Sequence, residues 1–117
     1  MAYKFEGDRY EFLKLLERNP GLMIFKYTAE WCKPCSSIKR EVDAHFKSIS
    51  GEKVVCFEID IDKCFDLFAF MKTKKMIKGV PTLMAYKMGS NSYIPDDSIS
   101  GADVNEVNNF FNRCRKL

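Results

Sequence analysis

No apolar run in the 117-residue chain approaches the twenty or so residues that cross a bilayer, so no membrane association is expected. The opening stretch carries Lys4, Glu6, Asp8 and Arg9, charges that interrupt the apolar core of a secretory leader. Histidine occurs once, as His45, and tryptophan once, as Trp31. The five cysteines are an odd number with one closely spaced pair, which does not describe the paired framework of a small secreted protein. A reducing, cytoplasmic setting is the expectation. Charge is also modest: 19 Lys and Arg against 16 Asp and Glu leave +3, with the signs interleaved rather than gathered in a stripe. No nucleic-acid footprint is therefore expected. Repeats and low-complexity segments are missing.

What is present is the composition of an ordinary globular protein, 46% hydrophobic and 30% charged, in a length that suits one domain over 1–117. A short edge strand is expected at 2–6. Asp8 followed by Glu11 makes a capping-box start, and Phe12, Leu13, Leu15 and Leu16 then give a helical stripe that Asn19-Pro20-Gly21 ends. Leu22-Met23-Ile24-Phe25-Lys26-Tyr27 is nearly continuous in apolar residues, as a central strand covered on both faces would be. A helix is expected over 36–49, with Ile38, Val42, His45, Phe46 and Ile49 at helical steps. A second buried strand at 53–59 follows. Asp60 and Asp62 are expected to open a helix over about 65–75, and Gly79-Val80-Pro81 breaks the chain before a strand at 82–87. Gly89-Ser90-Asn91-Ser92 reads as a hairpin turn to a strand between 93 and 99. In the last helix, opened by Asp103, the residues Val104, Val107, Phe110, Phe111 and Cys114 are expected to face the sheet. Strands separated by helices pair in parallel, and the late hairpin adds an antiparallel edge.

The chemistry gathers at Trp31-Cys32-Lys33-Pro34-Cys35. A cysteine where a strand gives way to a helix meets unpaired backbone N–H groups and the positive end of the helix dipole, both of which favour thiolate over thiol. Cys32 is the expected nucleophile. Two intervening residues put the second sulfur one helical turn away, within reach of a small ring, and Cys35 is the expected resolving thiol. Two inert readings compete, a structural bridge and half of a zinc site. Zinc needs two further ligands, and Cys56, Cys64, Cys114 and His45 include no second close pair, so no metal is expected. His45 stands about three turns beyond Cys35 and is not expected to act on the thiols.

Four segments then carry a resemblance over nearly the whole chain: Thr28-Ala29-Glu30-Trp31-Cys32-Lys33-Pro34-Cys35, Phe57-Glu58-Ile59-Asp60-Ile61-Asp62, Gly79-Val80-Pro81-Thr82 and Ser100-Gly101-Ala102. In this order they resemble the thioredoxin family. The resemblance implies an α/β fold whose central mixed sheet of four to five strands has helices on both faces. It implies a protein dithiol–disulfide oxidoreductase without cofactor, acting on protein disulfides and recharged by a thioredoxin-reductase-type electron donor. Trp31, Lys33, Pro34, Val80 and Pro81 become the expected substrate rim, with Trp31 a partly exposed platform rather than core. Pro34 resembles the family's helix-start proline. Pro81 resembles its cis-proline, with Val80 offering backbone to an extended substrate; the alternative is an ordinary trans turn. The competing class is a docking module with little turnover, motivated by about one extra helical turn before Pro81 and by a longer late hairpin.

Lys26 departs from the family, in which most relatives carry a buried Asp six residues before the first cysteine. By alternation it shares a face with Leu22 and Ile24, and a buried ammonium must be paired, deprotonated or extended to solvent. Glu58 matches a position that bears Lys in bacterial relatives, so a charge-swapped pair is one reading and snorkelling the other. Lys26 and Lys33 add positive charge near Cys32, which predicts a lowered thiol pKa and a potential less negative than the roughly −270 mV of thioredoxin. Cys56 and Cys114 read as core, and Cys64 resembles an extra cysteine of animal thioredoxins. Lys72, Lys74, Lys75 and Lys78 read either as a solvated helix face or as a landing for acidic partners.

Overall fold

A computed structural model describes residues 2–117. The elements run β1 (Ala2–Lys4), α1 (Arg9–Leu16), β2 (Leu22–Thr28), α2 (Lys33–Ile49), β3 (Val54–Asp60), α3 (Phe65–Thr73), β4 (Thr82–Lys87), β5 (Asp97–Ser100) and α4 (Val104–Cys114). They form one five-stranded sheet in the order β1-β3-β2-β4-β5. The helical crossovers make β1, β3 and β2 parallel, whereas β4 runs antiparallel to β2 and β5 antiparallel to β4.

β2 lies at the centre, and its side chains alternate between two cores. Met23, Phe25 and Tyr27 pack with Phe12 and Leu16 of α1 and Leu67 and Met71 of α3. Leu22 and Ile24 pack on the other face with Ile38, Val42 and Phe46 of α2 and Val107, Phe110 and Phe111 of α4. The sheet is thus covered on both sides, which explains the nearly unbroken apolar run. The strand and both of its layers converge on the turn at Cys32.

Several expectations need correction. β1 stops at Lys4, although the Phe5 N–H still donates to Glu58 O at 3.0 Å. α2 begins at Lys33 rather than at 36, because Cys32 itself caps it. Val104 opens α4 on its exposed side, so it does not face the sheet. Asp60 and Asp62 do not cap α3, whose N-cap is Cys64, a residue whose side chain makes no capping hydrogen bond to the helix.

The late hairpin is not a tight turn at 89–92. Its connection runs from 88 to 96, and Asp96 clamps the base by accepting from Lys87 N–H and Ser90 Oγ–H at 2.7 Å each. Tyr93 is not in a strand. It folds back onto α1 and α3, with its ring 4.5 Å from that of Phe70 and its hydroxyl donating to Arg9 O at 2.8 Å. Tyr93 and the Asp96 clamp thus anchor the connection to the body of the chain, while Met88 and Ile94 stay exposed.

Candidate active site

Thr28 ends β2, and the turn that follows brings Cys32 to the N-cap of α2 in extended conformation. Its Sγ accepts the Cys35 N–H at 3.1 Å, satisfying one of the donors that every helix start leaves open. Lys33 and Pro34 form the first exposed turn, where a proline removes no needed hydrogen bond. Cys32 and Cys35 are joined as a disulfide with Cα atoms 5.2 Å apart. The bond lies at the edge of the α1/α3 core, its cysteines only 4% and 3% exposed.

The loop before β4 faces this ring. Val80–Pro81 is a cis peptide, as the resemblance implies, and Val80 O lies 3.7 Å from Cys32 Sγ. Thr82 Oγ1–H donates to Gly79 O at 2.7 Å, and Gly101 N–H donates to Pro81 O at 3.0 Å, so both ends of the loop are tied to the sheet. Trp31 is 65% exposed beside the ring. Its indole N–H donates to Asp62 Oδ2 at 2.9 Å, which fixes the plane of the ring system. Asp62 is thus a site residue that the sequence reading assigned to a helix start; the signal available was an acid one turn past the strand adjoining the cysteine loop.

Lys26 and Glu58 are direct register partners on neighbouring strands and share a face. They make no contact ion pair: the ion pairs among the described residues are Arg9–Asp66, Lys39–Asp43, Lys63–Glu6 and Arg113–Asp97. Nor does Lys26 snorkel, since it is 2% exposed. Instead it borders a cavity of about 280 Å³ whose walls include Cys35, Ser36, Lys39 and Glu58. Burial pushes the Lys26 ammonium below its ordinary pKa, and the attraction of Glu58 opposes that only in part.

The remaining cysteines stand apart. Cys56, Cys64 and Cys114 are buried, and burial raises all three thiols, that of Cys114 to about 12. Cys64 Sγ lies 3.3 Å from Phe5 O. His45 is held between α2 and α4, 2.7 Å from Asn108 Oδ1 and stacked on Phe111.

Opening and closing the Cys32–Cys35 ring moves two electrons and two protons, so this turn on this sheet defines a dithiol–disulfide oxidoreductase. The thioredoxin family model matches residues 5–113. The thioredoxin of Echinococcus granulosus is 34% identical over 84 residues, 72% of this chain and 70% of that protein. That of Equus caballus is 34% identical over 88 residues, 74% of this chain and 72% of that protein. Among solved structures, Plasmodium falciparum thioredoxin superposes with TM-score 0.72 at 25% identity, covering 96% of this chain and 98% of its own. Trichomonas vaginalis thioredoxin gives 0.76 at 21% identity, covering 97% of this chain and 96% of its own, a likeness of fold. The chain belongs to the thioredoxin family, and the Cys32–Cys35 pair is its redox couple. Thioredoxins act on protein disulfides and are themselves reduced by reductases.

Proposed function

We propose that the protein is a general reductase of cytoplasmic protein disulfides in which Cys32 attacks and Cys35 resolves. The observation that carries the assignment is the Cys35 N–H donating to Cys32 Sγ at the helix N-cap, a contact that stabilises negative charge on Cys32 alone. The reduced protein attacks one sulfur of a substrate disulfide with the Cys32 thiolate. That forms a mixed disulfide and expels the other substrate sulfur as thiolate. Cys35 then gives up its proton and attacks Cys32 Sγ, which releases the second substrate thiolate and closes the Cys32–Cys35 bond. Two electrons have passed to the substrate, and a thioredoxin-reductase-type donor returns them.

Val80 O and N–H would pair with an extended substrate strand, with Pro81 shaping the loop, Trp31 supplying an apolar platform, and Lys33 and Pro34 forming the rim. Lys26 and Glu58 modulate the couple from behind Cys35. A cation that favours thiolate stabilises the reduced form, so Lys26→Asp is expected to make the potential more negative by about 10–40 mV, about 30 mV per 1.4 kcal/mol.

Insulin reduction with dithiothreitol tests the assignment. Cys32→Ser should abolish turnover, and Cys35→Ser should trap substrates as mixed disulfides on Cys32. Undiminished turnover in Cys32→Ser would overturn it.

A further inference from the structure

From 67 to 95 the chain has no acidic residue, yet it carries Lys72, Lys74, Lys75, Lys78 and Lys87. The first four occupy the end of α3 and the loop that leads to Val80, and all four are exposed. None takes part in the ion pairs found among the described residues. Lys72 and Lys74 instead rest their ammonium groups over the rings of Phe68 and Phe70, at 5.8 and 5.9 Å, contacts that hold the side chains without neutralising them.

Lys75 is in the left-handed region at φ 60°, where glycine would be cheaper. It fills the position just past the helix end in a Schellman closure, with Met76 N–H donating to Met71 O at 2.9 Å and Lys75 N–H to Lys72 O at 3.0 Å. The closure thus carries a fourth ammonium on this flank at a position where glycine would be less strained.

Lys78 lies two residues before Val80, whose carbonyl oxygen is 3.7 Å from Cys32 Sγ. Two residues span at most about 7 Å, inside the screening length of about 10 Å at 0.1 M salt. The opposite flank of the ring bears Glu30, Asp60 and Asp62, with Asp62 bound to the Trp31 indole. The Val80 side of the mouth is therefore uniformly basic, whereas on the Trp31 side these acids are interleaved with Lys33 and Lys63.

We infer that the lysine flank selects protein disulfides bordered by acidic residues on the side that lies along Val80. The inference rests on the exchange chemistry proposed above. Its occupant is an acidic polypeptide segment of the substrate, drawn in by charge before its disulfide meets Cys32.

The test uses three disulfide-cyclised peptides, identical except for two flanking residues that are Glu, Gln or Lys. Second-order rate constants are read from Trp31 fluorescence as the reduced protein is oxidised. The Glu peptide should react about tenfold faster than the Gln peptide at low salt, and the ratio should fall toward one by 0.5 M salt. The ratio should shrink to about twofold or less when Lys72, Lys74, Lys75 and Lys78 are all changed to Gln, and partly in the Lys72→Gln, Lys78→Gln double variant.

A ratio near one in the unaltered protein overturns the inference, as does a preference that survives both the substitutions and the salt. Failure of the Gln peptide to be reduced at all would overturn the exchange chemistry itself and not merely the selection. Stronger competition by a single-stranded oligonucleotide than by an acidic linear peptide of equal charge would assign the flank to nucleic acid and overturn the inference.

Discussion

Lys26→Met puts the energetics of the site's back wall to the test. The ammonium lies in the central strand, 2% exposed, opposite Glu58 but not in contact with it. Opposite unit charges about 5 Å apart, the spacing of neighbouring strands, attract by about 3 kcal/mol at an effective dielectric of 20. Removing an ammonium from water costs several kcal/mol even after relaxation. The desolvation cost exceeds the attraction, which agrees with burial being the largest influence on Lys26 and with its lowered pKa. The folded chain therefore binds fewer protons than the unfolded chain between that lowered value and the ordinary 10.5. Stability contributed through this residue rises with pH across that window and is lowest below it. Methionine keeps an unbranched stem of similar length without the charge. The variant should gain about 1–3 kcal/mol at pH 7, a substantial part of a typical domain stability of 5–15 kcal/mol, and the gain should shrink as pH approaches 10. Urea denaturation of oxidised protein and variant at pH 7, 8.5 and 9.5 measures both quantities. A variant less stable at pH 7, or a difference that grows with pH, would show that Glu58 outweighs desolvation and would refute the reasoning.

The Tyr27 hydroxyl is buried with no hydrogen-bond partner among the described residues, so Tyr27→Phe should raise stability by about 1 kcal/mol in urea, and a loss of similar size would show that the hydroxyl contributes to the fold. Lys75→Gly relieves the left-handed strain and should add about 0.5–1 kcal/mol while reducing the preference for acidic peptides; a destabilised variant would show that the closure at α3 depends on the lysine. In the reduced protein, iodoacetamide at pH 7 should modify Cys32 well before Cys56, Cys64 and Cys114, whose thiols burial keeps protonated. Peptide mapping by mass spectrometry reads the order, and early labelling of Cys64 would reveal local opening between Phe5 and α3.

Legibility in the sequence followed the range of the forces involved. Periodicity is a local record of burial, and it placed β2, β3, β4 and the four helices because each meets one or two large apolar faces. Where a terminus depends on an unusual cap, periodicity failed. Cys32 caps α2 through a sulfur that is not a common N-cap acceptor, so the helix read as starting three residues late. The segment 88–96 has no period at all, because its order comes from the Asp96 clamp and from Tyr93 reaching Phe12, Phe70 and Arg9 far away in sequence.

The site divides the same way. Cys32 and Cys35 were legible from their spacing and their place after a strand, and Trp31 and Pro81 from the resemblance to the family, whereas the bond between Trp31 and Asp62 exists only once β2 and β3 pair. Lys26 shows the limit most sharply. Alternation placed it on the face of Leu22 and Ile24, and the pairing of β2 with β3 sets Glu58 opposite, yet neither says whether two side chains on adjacent strands close into contact. Here they do not, and a cavity lies beside them and Cys35. A buried cation without a contact partner destabilises the fold, whereas the same charge beside a thiolate stabilises the reduced couple. One substitution therefore separates the two roles: Lys26→Met should gain stability and lose oxidising strength together, an opposition that a purely structural lysine would not produce.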